Sequence, residues 1–495
     1  MKQLLLRLLV LAGIAINVAF LLINLRPDRP HMARRRHLKV LLRSDPMREE
    51  WIKKNQFDEF GAAHDVDFEV VVAKDFEEIL ALLKAERDKP TGLSLVAISD
   101  QIADELRAEK TLQPMQGVVE PVRLDAALAD CIPESAARSR GGDGKVWFLP
   151  KRAEVNVAVF LTPAVEDAYL HWEEDRPAIT AALAESNGVG LPVNYVLEKS
   201  PDEWDSYDLF VAAWYWAHHP ALWADGKVAP RVAIRTGDNE DAVADLIGAF
   251  YRHGLSDGNM GKTDAPAVLD ALQWDALYRR HHLLAAECER DEGIDAVGVT
   301  DLFRARRIAW APINQENSLW LHGGSQRTAE PGMERASDLG WATLPVGSSL
   351  ELSGGKPVRV GRTYSFRDIH FWALPIHAPD PKLAFELAVF VTQRGLQQRE
   401  TEALGLLPIR QDLRQDYPIL FRLDWMQNIL DASYHQIDRG SGAIPAKVAA
   451  DGIDDLYAAL YASVLKATPA APVTLAAVRA AVSTSATKKE ATNGH

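Results

Sequence analysis

The sequence predicts an α/β fold built from more than one domain, and three observations support this prediction. Strand-like apolar runs alternate with amphipathic helices, as in the run at 38–42 and the helix at 76–87. The chain has 495 residues, enough for two or three domains. Hydrophobic residues make up 47% and charged residues 25%, values that are typical of globular proteins and exclude wholesale disorder.

The elements of the first part of the body follow in a regular order. The run at 66–72 alternates apolar and polar residues like a strand, and Asp75 precedes the helix at 76–87. A third strand is predicted at 93–98, and Ser99-Asp100 starts the next helix. Helices that separate consecutive strands in this way predict a parallel, doubly wound sheet.

The rest of the body continues the mixture of strands and helices. Strands are predicted at 155–160, 308–313 and 339–345, with a long extended segment at 358–374. Helices are predicted at 204–217, 241–253, 265–289 and 456–482, and a disordered tail at 483–495.

Charge and cysteine content exclude several classes of protein. The chain has 55 Lys+Arg and 69 Asp+Glu, a net charge of 55 − 69 = −14. Residues 1–39 carry eight basic residues and one acidic residue, a net +7, which leaves −14 − 7 = −21 for the body. An acidic body disfavours nucleic acid as a partner, because phosphate contacts need clustered Lys and Arg. The two cysteines, Cys131 and Cys288, exclude a disulfide scaffold and a multi-cysteine metal site; a disulfide between them stays open, beside two buried thiols.

The amino-terminal leader predicts a membrane anchor. After Lys2 and Arg7, residues 8–25 are apolar except for two asparagines, and no small-x-small cleavage site follows. We therefore expect an uncleaved, single-pass signal anchor in the cell inner membrane, with the body on the periplasmic or extracellular side. The six basic residues at 26–39 favour the opposite orientation. A start at Met32 would remove the anchor, so the orientation and the start site stay open.

Five loose motifs, in one order, resemble a known family. They are Phe57-Asp-Glu-Phe-Gly61 after the first strand, 95–100 followed by Leu112-Gln-Pro, Gly144-Lys-Val-Trp-Phe-Leu-Pro150 followed by 155–160, Pro201-Asp-Glu-Trp204, and 303–309. Their order over 38–461 resembles the extracellular solute-binding proteins of family 1, the maltose-binding-like receptors of ABC importers. The usual Asp is replaced by Leu93-Ser, and the usual Gly and Met are missing at 303–309.

The resemblance implies a two-lobed fold of the periplasmic-binding-protein type II, with hinge crossovers near 150–153 and 356–362. On that division, residues 1–37 form the anchor and basic linker. The first α/β lobe is 38–152 plus 362–412, and the second is 153–358 plus 413–482. The ligand would lie in the cleft between the lobes.

Aromatic residues are the first group of candidate ligand contacts. Trp214, Tyr215 and Trp216 lie where the family carries a cleft-lining aromatic pair, and Trp320 lies near a second aromatic position of that pattern. Trp and Tyr rings suit the apolar face of a sugar. Each of them can equally be a core residue. Trp214 and Trp216 are about 200° apart on a helix, so a regular helix cannot aim both at one ligand.

Polar residues at strand ends and crossovers form the second group. The candidates are Ser44, Asp45, Asp100, Lys151, Arg152, Asn314, Glu316, Arg362 and Tyr364. Helix capping would explain the first three equally well. Salt bridges to neighbouring carboxylates would explain the basic residues, and an exposed loop would explain Asn314 and Glu316.

Catalytic and metal motifs are missing from the sequence. Residues 258–263 resemble a phosphate-binding loop. However, Ser256 occupies the position of the first glycine of that motif, and a helix precedes the loop where a strand is needed. The pairs His218-His219 and His281-His282 point in different directions on a helix and do not chelate a metal. We therefore expect no cofactor, no metal and no enzymatic activity.

The expected function is that of a membrane-tethered receptor that binds a sugar or oligosaccharide for the permease of an ABC transporter. Two alternatives stay open. One is a sensory or regulatory binding module without a transport role, and the other is a glycan-processing enzyme.

Overall fold

The structure is a computed structural model that describes residues 35–43, 46–219, 230–237, 240–290, 293–322, 336–442 and 453–467, with the single positions 476 and 480. The predicted anchor, the predicted tail, Ser44 and Asp45 lie outside the described residues. Among the helices of the described ranges, none combines the length and the apolar character that crossing a bilayer requires.

Three parallel strands open the first lobe, as the sequence predicts. They are β1 (Arg36–Arg43), β2 (Val66–Ala73) and β3 (Leu93–Ser99). Strand β1 lies between the other two, with Val40 beside Val70 on one side and Leu95 on the other. Because β3 is buried along its whole length, it reads as a continuous apolar run.

The later strands extend this sheet into the second lobe. They are β4 (Leu112–Gln113), β5 (Phe148–Leu161), β6 (Arg231–Val232), β7 (Ile308–Asn314), β8 (Leu339–Ala342), β11 (Ser365–Pro375) and β12 (Ser441–Gly442), with β9 (Leu352–Ser353) and β10 (Lys356–Pro357) forming a separate hairpin. In the described residues the main sheet has the order β2-β1-β3-β11-β5-β7-β6, with β4 and β12 beside β11 and β8 beside β5.

Helices pack on both faces of the sheet. Those of the first half of the chain are Pro46–Ile52, Asp58–His64, Phe76–Asp88, Asp100–Ala108, Pro121–Ala129, Pro133–Arg138, Thr162–His171, Arg176–Asn187 and Ser206–His218. Those of the second half are Glu240–Arg252, Pro266–Arg280, Ala296–Arg304, Ser318–His322, Pro381–Val391, Arg394–Leu404, Gln411–Leu420, Asp424–Gly440 and Ile453–Ala467.

Side-chain caps fix the starts of several helices. Asp75 accepts a hydrogen bond from the Glu78 N–H at 2.9 Å. Ser99 accepts one from the Gln101 N–H at 3.1 Å. The two helices therefore begin where the sequence predicts, because each cap satisfies an N–H that has no partner inside the helix.

Strands β5 and β11 connect the two lobes. The first part of β5 pairs with β11, and its second part, from Asn156, pairs with β7 and β8. The sequence predicts a strand at 155–160, and the structure extends it back to Phe148 as one continuous strand. Residues 152–154 stay extended because they pair antiparallel with β11.

The hydrophobic cores mark where the chain passes between lobes. One core fills the second lobe and includes Val157 and Phe366. Two others lie on opposite faces of the first-lobe sheet, one with Trp372 and one with Ile369. The buried side chains of β11 therefore change from one core to another between Phe366 and Ile369.

A glycine permits close packing just before β11. The Gly361 N–H donates to the Gly347 carbonyl at 2.7 Å, and the next N–H, of Arg362, donates to the Arg252 carbonyl at 2.9 Å. A Cβ on Gly361 would overlap the backbone of Arg252 and His253. The approach to β11 is thus held against the end of the helix Glu240–Arg252 by backbone contact.

Gly361→Ala should lower the free energy of unfolding by about 1–3 kcal/mol, because the methyl group has no space beside the rigid backbone. The measurement is urea-induced unfolding followed by circular dichroism. Gly142→Ala is the matched control, since a Cβ there meets nothing within 4 Å; it should change stability by less than about 0.5 kcal/mol. Equal effects of the two substitutions would contradict the packing argument.

Candidate functional site

The carboxyl ends of strands from both lobes face each other at the lobe junction. Strand β3 runs in the same direction as β5, because both are antiparallel to β11, and so it points towards the second lobe. Strand β7 is antiparallel to β5 and points back towards the first lobe. Ser99 and Asn314, the last residues of β3 and β7, therefore end at this junction, where ligands of α/β folds bind.

Four charged or polar side chains form a cross-strand cluster at this junction. The strand register places Arg152 opposite His370 and Glu154 opposite Asp368. Because alternate residues of a strand share a face, all four project to the same side of the sheet. We call these four residues the hinge cluster.

The contacts within the hinge cluster are short. The Arg152 Nε donates to Glu154 Oε1 at 2.9 Å. His370 Nε2 lies 3.3 Å from the same Glu154 oxygen and 3.2 Å from Asp368 Oδ2. Ser99, at the end of β3, donates from Oγ to the other Asp368 oxygen at 2.6 Å. The cluster thus links the end of a first-lobe strand to both connecting strands.

Burial and neighbouring charge shift the pKa values in this region. Burial acts to raise the pKa of Glu154, but His370 and Arg152 outweigh it and hold the pKa well below its usual range. Burial, reinforced by Arg152, lowers the pKa of Lys151 well below its usual range, with Glu400 opposing. The surroundings of Glu154 therefore favour its charged, hydrogen-bond-accepting form, whereas the surroundings of Lys151 disfavour its charged form.

Lys151 lies where the register between β5 and β11 shifts. Its Nζ lies 4.5 Å from the centre of the Trp372 ring, and its carbonyl accepts a hydrogen bond from Gln397 Nε2 at 2.6 Å. Only 4% of Lys151 is exposed. The two neighbouring cations of the predicted site therefore have different partners: Lys151 contacts Trp372, and Arg152 contacts Glu154.

Part of the hinge cluster has the donor set of a metal site. Among the described residues, Glu154, Asp368 and His370 offer ligand atoms that lie within 4.8 Å of one another. The guanidinium of Arg152 contacts Glu154, and its Nη2 lies 3.4 Å from His370 Nδ1. This fixed positive charge offsets part of the charge of the two carboxylates and so weakens the attraction for a divalent cation.

An ion pair joins the two lobes beside the hinge cluster. Arg48, on the first helix of the first lobe, donates to Glu316 Oε2 at 2.6 Å. The side chains are 12% and 15% exposed. Asn314 accepts a hydrogen bond from the Glu316 N–H at 3.1 Å, which caps the short turn after β7. The pair thus connects the first helix of the first lobe to the turn that follows β7.

Asp100 has a structural partner. It is 3% exposed, and Arg138 Nε donates to its Oδ1 at 2.5 Å. Burial raises the pKa of Asp100, with the positive charge of Arg138 opposing. The Asp100 side chain therefore serves a buried ion pair one residue beyond the end of β3.

The second predicted crossover pair faces the second lobe. The Arg362 guanidinium lies 4.9 Å from the centre of the Tyr364 ring. Tyr364 is buried and stacks on Tyr251 at 4.7 Å. These contacts tie the approach to β11 to the helix Glu240–Arg252.

The aromatic triplet at 214–216 packs among helices of the second lobe. Trp216 is 2% exposed and donates from Nε1 to the Ala164 carbonyl at 2.8 Å. Trp214 is half-buried and stacks on His218 at 4.5 Å. Tyr215 donates from its hydroxyl to Asp167 at 3.2 Å. Trp320 is half-buried on the helix Ser318–His322, directly after the turn that carries Glu316.

Of the predicted site residues, the structure thus places Arg152 and Glu316 at the junction, where Arg152 contacts Glu154 and Glu316 contacts Arg48. The aromatic triplet at 214–216 contacts helices of the second lobe instead. Sequence reasoning missed Arg48, Glu154, Asp368 and His370. One signal for three of them exists: charged or polar residues at 152 and 154 and at 368 and 370 repeat with the two-residue period of a strand. Arg48 has no comparable signal.

Comparison with known proteins gives a clear result only at the level of structure. No profile of a known protein family and no curated sequence matches the chain. Solved structures match over nearly the full length. The chain shares the fold of maltose-binding-like ABC solute-binding proteins. The two-lobed α/β prediction is confirmed at this level.

Three of the similar structures are sugar complexes of bacterial proteins. Maltose-bound MalE3 of T. maritima has 13% identity and a TM-score of 0.62, with 91% of this chain and 98% of that chain covered. The substrate-binding protein Lmo0181 of Listeria monocytogenes, in complex with cycloalternan, has 11% identity, a TM-score of 0.61 and coverages of 92% and 99%. A solute-binding protein of Thermotoga lettingae bound to α-D-tagatose has 14% identity, a TM-score of 0.60 and coverages of 91% and 98%.

The interlobe ion pair should show strong coupling in a double-mutant cycle. Arg48→Gln and Glu316→Gln, singly and together, should give a coupling energy of about 2 kcal/mol in urea unfolding, because the pair is mostly buried. The control pair is Arg399 and Glu59, at 2.8 Å with side chains 49% and 50% exposed. Its coupling should stay below about 1 kcal/mol. Equal couplings for the two pairs would refute a special role for the junction.

Proposed function

We propose that this protein is a non-enzymatic receptor that binds a carbohydrate between its two lobes and presents it to the permease of an ABC importer. The observation that carries the proposal is the convergence of strand carboxyl ends from both lobes on a buried polar cluster. The near full-length similarity to sugar-bound receptors, at 91% coverage of this chain for MalE3, supports the same class of ligand.

The chemistry of the junction suits a polyhydroxylated ligand. Carboxylates such as Glu154 and Glu316 accept hydrogen bonds from hydroxyl groups, and Arg48 and Arg152 donate them. Charge-assisted hydrogen bonds of this kind are roughly twice as strong as neutral ones. A sugar that enters the junction would compete with Glu316 for Arg48. The ion pair between these two side chains would then be replaced by hydrogen bonds from each of them to sugar hydroxyl groups.

For the aromatic contact we favour Trp320. It follows Glu316 by one turn of helix, whereas Trp214 and Trp216 contact helices of the second lobe. An indole ring stacked on the apolar face of a pyranose buries apolar area and keeps the sugar hydroxyls free for hydrogen bonds. Asn314, at the end of β7, supplies a further amide beside the same turn.

Binding would be coupled to movement of the lobes through β5 and β11. A ligand that contacts both lobes binds the closed arrangement better than the open one and shifts the population towards it. The hinge cluster lies on the two strands that would flex. Closure would then be the signal that a permease reads.

The test of this proposal is ligand binding by the purified protein. Maltose, maltotetraose, cycloalternan and α-D-tagatose should be screened by calorimetry and thermal shift, since these or related sugars occupy the similar structures. A true ligand at 100 times its Kd should stabilise the fold by about 2.7 kcal/mol. Trp320→Ala should weaken binding at least tenfold, and the matched control Trp214→Ala should not. Failure of every sugar in this panel and of a wider glycan panel would refute the carbohydrate assignment.

We also propose that the apolar run at 8–25 tethers the receptor to the inner membrane with the body on the outer side. Its length and the missing cleavage site support a retained anchor. Protease added outside spheroplasts should digest the body and leave the leader in the membrane. Full protection of the body would contradict this orientation and, with it, the import role.

A further inference from the structure

A cavity lies in the second lobe. It has a volume of about 870 Å³ and is lined by the helices Glu240–Arg252, Pro266–Arg280 and Ile453–Ala467, together with Pro312 of β7 and residues 234–237. All of the residues that line it belong to the second lobe. The cavity is therefore distinct from the hinge cluster.

Two of the arginines that line this cavity are neutralised by carboxylates. Arg235 makes two hydrogen bonds of 2.6 Å to Asp245, which also accepts from Asn156 at 2.8 Å. Arg279 donates to Asp275 at 2.8 Å. Their charges are balanced inside the protein, so neither of them calls for an external anion.

Arg252 is different. Its Nη1 donates only a long hydrogen bond, of 3.4 Å, to the Tyr364 carbonyl. Within the described ranges, no carboxylate oxygen lies within 4.0 Å of its guanidinium, and the nearby Asp245 is already held by Arg235. Burial lowers the pKa of Arg252 to about 10, with Asp245 opposing. A mostly buried guanidinium without an anion is costly and attracts one.

Two of the helices that line the cavity present aliphatic faces that suit an apolar body. Small aliphatic side chains from two helices line it: Ala242, Val243, Leu246, Ala249, Ala458 and Ala462. Ligand pockets typically enclose about 300–1,000 Å³ and combine apolar walls with a few polar groups that orient the ligand. A free inorganic oxyanion would leave most of this volume unfilled.

We propose that this second-lobe cavity binds a small organic molecule whose oxyanion head, a carboxylate or a phosphate ester, pairs with Arg252. The planar guanidinium offers two parallel donors that match either head group. The aliphatic part of the ligand would lie against the alanine-rich walls. This inference is independent of the carbohydrate site, because the two sites share no lining residue.

The experiment uses the full-length protein and four probes: hexanoate, hexyl phosphate, hexanol and inorganic phosphate. We expect at least one of the two hexyl anions to bind with one-to-one stoichiometry in calorimetry, at least tenfold more tightly than hexanol and than inorganic phosphate. Comparison of hexanoate with hexyl phosphate distinguishes the two head groups. Equal binding of hexanol, tighter binding of inorganic phosphate, or no binding of either hexyl anion would overturn the proposal.

Substitutions locate the site. Arg252→Gln should weaken binding of the preferred probe at least tenfold, and Arg252→Lys should restore part of it. The backbone clamp of Arg252 on Arg362 does not need the side chain, so these variants should fold. Arg439→Gln, an exposed arginine beside Glu203, is the control and should leave binding unchanged. Unchanged affinity in Arg252→Gln would overturn the assignment. If that variant does not fold, the comparison of hexyl anions with hexanol on the wild-type chain, together with Arg252→Lys, decides it.

Discussion

The antiparallel pairing of β5 with β11 is the constraint on which the rest of the structure depends. These strands run from one lobe into the other, and their register, with Asp368 opposite Glu154 and His370 opposite Arg152, brings four polar side chains to one face. The same pairing keeps the strand extended between the two lobe cores and orients β3 and β7 head to head. Without it, the carboxyl ends of strands from the two lobes would not meet.

Burying charged side chains where β5 and β11 pass between the lobes costs free energy, and contacts within the hinge cluster offset this cost. Burial acts to raise the pKa of Glu154, but the contacts of His370 and Arg152 outweigh it and hold the pKa well below its usual range. The buried charges of Arg152 and Glu154 are thus paired with each other along β5, and Arg48 and Glu316 form a second pair across the lobes. Networks of this type stabilise little compared with apolar packing but specify one geometry. In a receptor, that geometry is what a ligand has to displace or complete.

The arginines that line the second-lobe cavity differ from one another in whether a carboxylate neutralises them. Arg235 and Arg279 are paired within their own lobe. Arg252 lines the same cavity beside alanines, and within the described part of the chain its side chain donates to a backbone carbonyl and to no carboxylate. The backbone of Arg252 also holds the approach to β11. One residue thus joins the cavity to the strand that connects the lobes, which places any occupant of the cavity next to the hinge.

The sequence by itself determined the α/β class, the parallel β1–β3 unit and the helix starts at Asp75 and Ser99, because strand periodicity and capping are local properties. It also pointed to Lys151, Arg152 and Glu316 as junction residues. Only the tertiary structure decided which side chains share a face of the junction. Arg48 lies 268 residues from Glu316 and His370 lies 218 from Arg152, and no local pattern encodes such distant pairings. The packing of Trp214 and Trp216 within the second lobe was likewise decided by the helices around them, because an aromatic residue has the same local signature in a core and in a cleft.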